Sequence, residues 1–216
     1  IEHMFARDNR VGFSRSTQNA AGVASVAIMG DEIRQIEAPS RAEFRKWLED
    51  NHATEEAVWL VLWKKGSGRP SVDWSDAVDE ALCFGWIDSK VQSIDENRYR
   101  QYWTVRKPGS VWSRINKEKV AELTAAGLMA PAGLAAVARA KTDGSWTILD
   151  GPEAGIVPDD LATAMNRAGV RPTYDSFTFG ARKAILAWLV TAKRDTTRAD
   201  RIDKTVEALG RGQSPL

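Results

Sequence analysis

The order of hydrophobic and polar residues is typical of strands in some segments and of helices in others. Together these segments predict an α+β fold. Seven consecutive apolar residues form the run Ala57–Trp63, and an uninterrupted β-favouring run of this length is typical of a buried strand. Residues 91–94 and 99–106 predict the two strands of a β-hairpin. Elsewhere apolar residues recur at steps of three and four, most regularly over residues 181–192, and predict helices. The pattern therefore predicts a small, mostly antiparallel sheet of three or four strands packed with about seven helices.

The same periodicity divides the chain into three parts. It is weak before residue 38 and ends near residue 210, so we predict an N-terminal arm over 1–37, a single domain over 38–210 and a flexible tail over 211–216. The first residues, Ile1 to Met4, resemble an expression-vector remnant and not a secretion signal. No apolar run approaches the roughly eighteen residues of a membrane-spanning helix. These features predict a cytoplasmic protein without a membrane span.

Composition narrows the possible chemistry. Lys and Arg total 30 against 29 Asp and Glu, and a net charge of +1 gives no general attraction to nucleic acid. Cys83 is the single cysteine, and His3 and His52 are the two histidines. This inventory excludes a multi-cysteine zinc site and disfavours a two-histidine metal site or a histidine-dependent triad. We therefore expect no metal and no cofactor, and we interpret His52 as a structural residue at a helix end.

Nine tryptophans are the unusual feature of the composition. Because tryptophan combines a large apolar surface with one N–H donor, it serves both cores and binding clefts. Trp146 is expected in a packed loop, and Trp86, Trp103 and Trp112 lie within or beside charged motifs. Strand alternation points Trp103 away from its charged neighbours, so Trp86 and Trp112 are the better candidates for a cleft. The tryptophans expected in the core are Trp47, Trp59, Trp63, Trp74 and Trp188.

Four motifs in this order resemble those of the bacterial YdeI/OmpD-associated family, whose members are also called bacteriocin-protection proteins. The most distinctive is EALCFGWIDS at residues 80–89, and the others occupy residues 63–68, 106–116 and 192–198. The resemblance covers about residues 38–210. It implies a role in envelope stress or bacteriocin tolerance, and it brings with it no settled reaction and no set of catalytic residues.

Cations and aromatic rings are densest between residues 90 and 120, where eight Lys and Arg face three acidic residues. Cations bind phosphates or carboxylates, and flat side chains stack on ligand rings. This combination predicts a site for an anionic small ligand, although a solvated basic face above buried tryptophans is the open alternative. The predicted site residues are Lys64, Trp86, Asp88, Arg100, Tyr102, Arg106, Trp112, Arg114 and Asn116.

Three functions remain open at this point. The first is a stress- or bacteriocin-tolerance protein that binds an anionic, ring-bearing ligand. The second is a metal-independent enzyme that uses Asp88 as acid and base on an anionic substrate. Asp88 is expected at the end of a helix, where an ion pair with Arg100 or Arg114 is the structural alternative. The third is a module that binds an envelope or bacteriocin-related protein, or nucleic acid non-specifically, since no signature of specific DNA recognition is present.

Overall fold

A computed structural model describes the strand Ser25–Val26 and residues 33–216. Most of the predicted N-terminal arm, including its vector-like start, lies outside the described residues. The strands are β1 (Ser25–Val26), β2 (Gln35–Glu37), β3 (Ala57–Trp63), β4 (Trp86–Ser93) and β5 (Arg98–Val105). The helices are α1 (Arg41–Asn51), α2 (Trp74–Cys83), α3 (Arg114–Ala125), α4 (Pro131–Thr142), α5 (Asp150–Glu153), α6 (Asp159–Arg167), α7 (Arg171–Ser176), α8 (Phe179–Val190) and α9 (Asp195–Gly210).

These elements confirm the predicted α+β class. The sheet has the order β1-β2-β3-β5-β4, and every neighbouring pair is antiparallel except the parallel pair β2–β3. Seven helices in the described residues span nine residues or more, which agrees with the predicted number of about seven. The two further helices, α5 and α7, are one or two turns long and too short to show a helical period.

The turn between α2 and β4 differs from the prediction. The sequence predicts a helix that ends at Asp88, but α2 ends at Cys83 and β4 begins at Trp86. Gly85 causes the break, since it adopts φ +74°, a conformation that other residues rarely take. Asp88 therefore lies within a strand and not at a helix end.

The buried side chains form two clusters. The larger one joins the sheet to α1–α4 and includes Phe44, Trp47 and Trp103, and the smaller one joins α6–α9 around Tyr174 and Leu186. Ion pairs that α3 forms with α5 connect the two halves of the chain. The single domain over 38–210 stays a prediction.

Trp74 contradicts its assignment to the core, because 48% of its surface is exposed. It is the first residue of α2, ahead of the turns that pack on the sheet, and its Nε1 donates to Asp88 Oδ2 at 3.3 Å. Trp59, Trp63 and Trp188 are half-buried. The fully buried tryptophans are Trp86, Trp103 and Trp112.

The close contact between α2 and α4 depends on Gly133. A Cβ at this position would overlap the carbonyl oxygen of Cys83 and lie 2.8 Å from that of Leu82. We expect Gly133→Ala to lower the free energy of unfolding by about 1–3 kcal/mol, as overpacking does. Urea denaturation measures this change. The matched control is Gly180→Ala in α8, where a Cβ meets nothing within 4 Å. Equal stability of the two variants would contradict the contact.

Candidate functional site

Arg106 directly follows β5 and is held by three other segments of the chain. Its backbone N–H donates to Gly85 O at 2.9 Å, and its backbone carbonyl accepts from Arg139 Nη2 at 3.2 Å. Its Nη1 donates to Val111 O at 3.1 Å. The guanidinium carbon lies 3.7 Å from the centre of the Trp112 ring, a close cation–π contact. These contacts leave Arg106 only 2% exposed.

The charge of Arg106 has no direct partner. Among residues 33–216, no carboxylate lies within salt-bridge distance of it, and its Nε and Nη2 have no hydrogen-bond acceptor. Burial lowers the pKa of Arg106 to about 10, although the negative charge of Asp88 partly opposes the shift. A group with this pKa is still protonated at neutral pH. The burial of an unpaired cation therefore costs on the order of 3 kcal/mol.

The other buried charge, Glu80, is compensated by two arginines. Glu80 is 3% exposed, and its two oxygens accept from Arg41 Nε at 2.6 Å and Arg45 Nη1 at 2.7 Å. Glu80 and Arg106 are the two charged side chains that are buried in the described part of the chain. Glu80 is thus fully paired, and Arg106 is not.

A cleft of about 1040 Å³ opens beside Arg106, at the end of the sheet where β3 begins and β5 ends. We call it the Arg106 cleft. Its walls come from the loop after α1, the segment that follows β5, and α4, and its volume suits a small organic ligand. The polar residues that line it are Arg34, His52, Thr54, Glu55, Glu56, Tyr102, Thr104, Arg106, Lys107 and Arg139.

Cations outnumber carboxylates in this cleft. Glu55 Oε1 accepts from Arg34 Nη1 at 3.1 Å, and Glu56 is the other carboxylate of the lining. Four arginine and lysine side chains therefore face two acids, and the cleft carries a positive net charge. Such a surface attracts anions and repels cations.

His52 caps α1, as the sequence predicts, and also lines the Arg106 cleft. Its Nδ1 lies 2.8 Å from Leu48 O, and a carbonyl oxygen can only accept, so Nδ1 carries the proton. The remaining ring nitrogen, Nε2, is then the acceptor of the neutral ring. The sequence shows the helix end but not this second position in a cleft.

Behind Arg106 lies a much smaller cavity of about 10 Å³, lined in part by Trp112, Ser110 and Asp143. This volume is about that of a single water site. The cavity is therefore too small for an organic anion.

The structure brings together only part of the predicted site. Tyr102 and Arg106 line the cleft, and the Trp112 ring packs against the Arg106 guanidinium. Lys64 follows the far end of β3, which places it about 20 Å away at the usual rise per residue. Trp86 is wholly buried in the core and has no surface for a ligand.

The remaining predicted residues lie on other surfaces. Arg100 is on the outer face of the sheet, where it donates to Gln35 and Gln92. Arg114 is exposed and paired with Glu118 at 2.8 Å, and Asn116 lies beside it in the first turn of α3.

The predicted ion pair of Asp88 with Arg100 or Arg114 is wrong. Asp88 Oδ2 instead accepts from Trp74 Nε1 and from Gln101 Nε2 at 3.1 Å. The sheet separates Asp88, on the face that the helices cover, from Arg100 on the other face.

Fold and site together define the class of this protein. It is an α+β protein with a cationic cleft at one end of its sheet, and a buried arginine contributes to the cleft wall. Among the described residues, no helix combines the length and the apolar character of a membrane-spanning segment.

Residues 154–212 match the family described as Bacteriocin-protection, YdeI or OmpD-Associated. Over this segment the chain is similar to that family, in agreement with the resemblance. Residues 36–136 match a different family, described as a domain of unknown function (DUF8412). Three of the four motifs lie within residues 36–136. The match to the YdeI/OmpD-associated family therefore covers less of the chain than the expected residues 38–210. No curated protein and no solved structure gives a significant match.

The unpaired charge predicts an unusual response to mutation at Arg106. Arg106→Met keeps an unbranched side chain against Trp112 but removes the buried charge. We expect its free energy of unfolding to equal or exceed that of the parent protein, because removal of the desolvated cation offsets the lost cation–π contact. Urea denaturation without added anions measures this. A loss above about 2 kcal/mol, the range of ordinary core truncations, would contradict the unpaired state.

Proposed function

We propose that this protein contributes to bacteriocin or stress tolerance by binding an anionic, ring-bearing small molecule in the Arg106 cleft. One observation carries the proposal. A buried arginine with two unpartnered donor atoms lies at the wall of a cationic cleft. A bound carboxylate or phosphate would supply the acceptors and the opposite charge that Arg106 lacks.

The surroundings of Arg106 favour a planar ligand. Tyr102 contributes an aromatic wall, and its own ring is held 4.8 Å from the ring of Trp59. Lys107 and Arg139 lie beside Arg106 and would hold further anionic oxygens. Thr104 and His52 offer further polar contacts. The ligand class that fits this arrangement is an aromatic carboxylate or an aromatic phosphate.

The geometry gives less support to the other functions. Asp88 lies outside the lining of the Arg106 cleft and is engaged by Trp74 and Gln101, so it is poorly placed as acid and base there. A protein partner from the envelope or from the bacteriocin system stays a prediction. Capture of such a partner by the purified protein, insensitive to nuclease, is the measurement that addresses it.

The binding test compares two matched substitutions. Phenyl phosphate at about 100 times its Kd should stabilise the parent protein by about 3 kcal/mol, which corresponds to several degrees in melting temperature. Arg106→Met should abolish this shift. Arg114→Met makes the same chemical change at an exposed residue that the structure places outside the cleft, and it should keep the shift. Thermal denaturation monitored by calorimetry gives all three values.

Inorganic phosphate and benzoate separate the contributions of charge and ring. If binding needs both the charge and the ring, inorganic phosphate and benzoate should each bind more weakly than phenyl phosphate. The binding of each anion should still depend on Arg106. A parent protein that none of the three anions stabilises would contradict the proposal. So would a phenyl phosphate shift that survives in Arg106→Met.

A further inference from the structure

A second groove, of about 510 Å³, lies at the opposite end of β3 from the Arg106 cleft. The chain leaves β3 here, makes a short 3-10 turn at Lys65–Ser67 and returns to the start of α2. We call it the Trp74 groove. The residues that line it are Leu62, Trp63, Lys64, Lys65, Arg69, Pro70, Ser71, Val72, Asp73, Trp74 and Tyr99.

Three aromatic rings form its walls, and two of them are fixed by hydrogen bonds. Trp74 is 48% exposed, yet its Nε1 donates to Asp88 Oδ2 at 3.3 Å. Trp63 Nε1 donates to Glu37 Oε2 at the same distance. An exposed ring that is held in place loses little entropy when a ligand stacks on it. The third ring, Tyr99, is half-buried against the main core.

Three cations accompany these rings without a carboxylate partner in the described residues. Lys64 Nζ donates to the backbone carbonyl of Glu96 at 3.0 Å, and the Arg69 guanidinium lies 5.1 Å from the Trp63 ring centre. Lys65 is exposed in the turn between them. The one carboxylate of the lining, Asp73, caps α2 by accepting from Ser75 N at 3.0 Å. The groove therefore has a positive net charge.

We propose that the Trp74 groove is a second binding site, for an aromatic ring that carries a phosphate, as a nucleotide does. The exposed Trp74 ring would stack on the base, and the cations of the turn, which have no carboxylate partner in the described residues, would hold the phosphate. The volume of the groove lies within the range for a mononucleotide-sized ligand. The length of β3 separates this site from the Arg106 cleft, so one small ligand cannot occupy both.

Adenosine monophosphate is the probe, and isothermal titration calorimetry measures its binding. Because base and phosphate would bind different groups, adenosine alone and inorganic phosphate alone should each bind at least about tenfold more weakly. A ten-nucleotide oligothymidylate with a 5′-phosphate identifies the source of the ligand. Tighter binding of the oligonucleotide favours a strand end, and tighter binding of the mononucleotide favours a free metabolite.

Substitutions in the groove locate the site. Trp74→Leu and Arg69→Gln should each weaken the mononucleotide about tenfold, whereas Trp74→Phe, which keeps a ring, should retain most of the affinity. The control Arg211→Gln removes an exposed arginine that is paired with Glu207 on α9, far along the chain, and should leave affinity unchanged.

Three outcomes would overturn the proposal. One is the absence of nucleotide binding at millimolar concentration. Another is an affinity that Trp74→Leu and Arg69→Gln leave unchanged. The third is loss of nucleotide binding in Arg106→Met, which would place the nucleotide in the Arg106 cleft. Circular dichroism shows whether each variant is folded before its affinity is compared.

Discussion

The unpaired charge of Arg106 is the constraint on which the cleft depends. The fold surrounds this guanidinium with a carbonyl oxygen and the face of Trp112, and it supplies no carboxylate from the described chain. The same residue bonds to Gly85 and to Arg139, so the turn before β4, the end of β5 and α4 meet at one point. The cation is thus fixed in place before any ligand arrives, which lowers the entropic cost of anion binding.

The sheet explains why cations close together in the sequence do not form one site. Successive side chains of a strand point to opposite faces, so Arg100 and Gln101 are separated although they are neighbours. Different loops flank the two ends of β3: the loop after α1 precedes the strand, and the turn before α2 follows it. The Arg106 cleft forms at one end and the Trp74 groove at the other, and the main core contributes Trp112 behind the cleft and Leu62 and Val72 to the groove.

Local patterns in the sequence predict most elements of the fold but only part of the site. The β4–β5 hairpin and seven helices follow from periodicity, and Tyr102 and Arg106 follow from strand alternation in a basic segment. Gly85 was not recognised as a helix end, because the apolar residues after it continue a helical period. Arg139 was missed because it belongs to an alanine-rich helix whose packing beside Arg106 is a tertiary contact. Such contacts between distant segments have no local signal.

The central claim is that an anion completes the environment of Arg106. The Nε–Hε signal of this residue in a ¹H–¹⁵N spectrum tests it most directly, and its absence in Arg106→Met assigns it. Our account predicts a slowly exchanging signal, because Nε is buried without an acceptor. The signal should move downfield when phenyl phosphate saturates the protein, since the N–H then gains a charged acceptor. A signal that keeps its position at saturation would contradict the account.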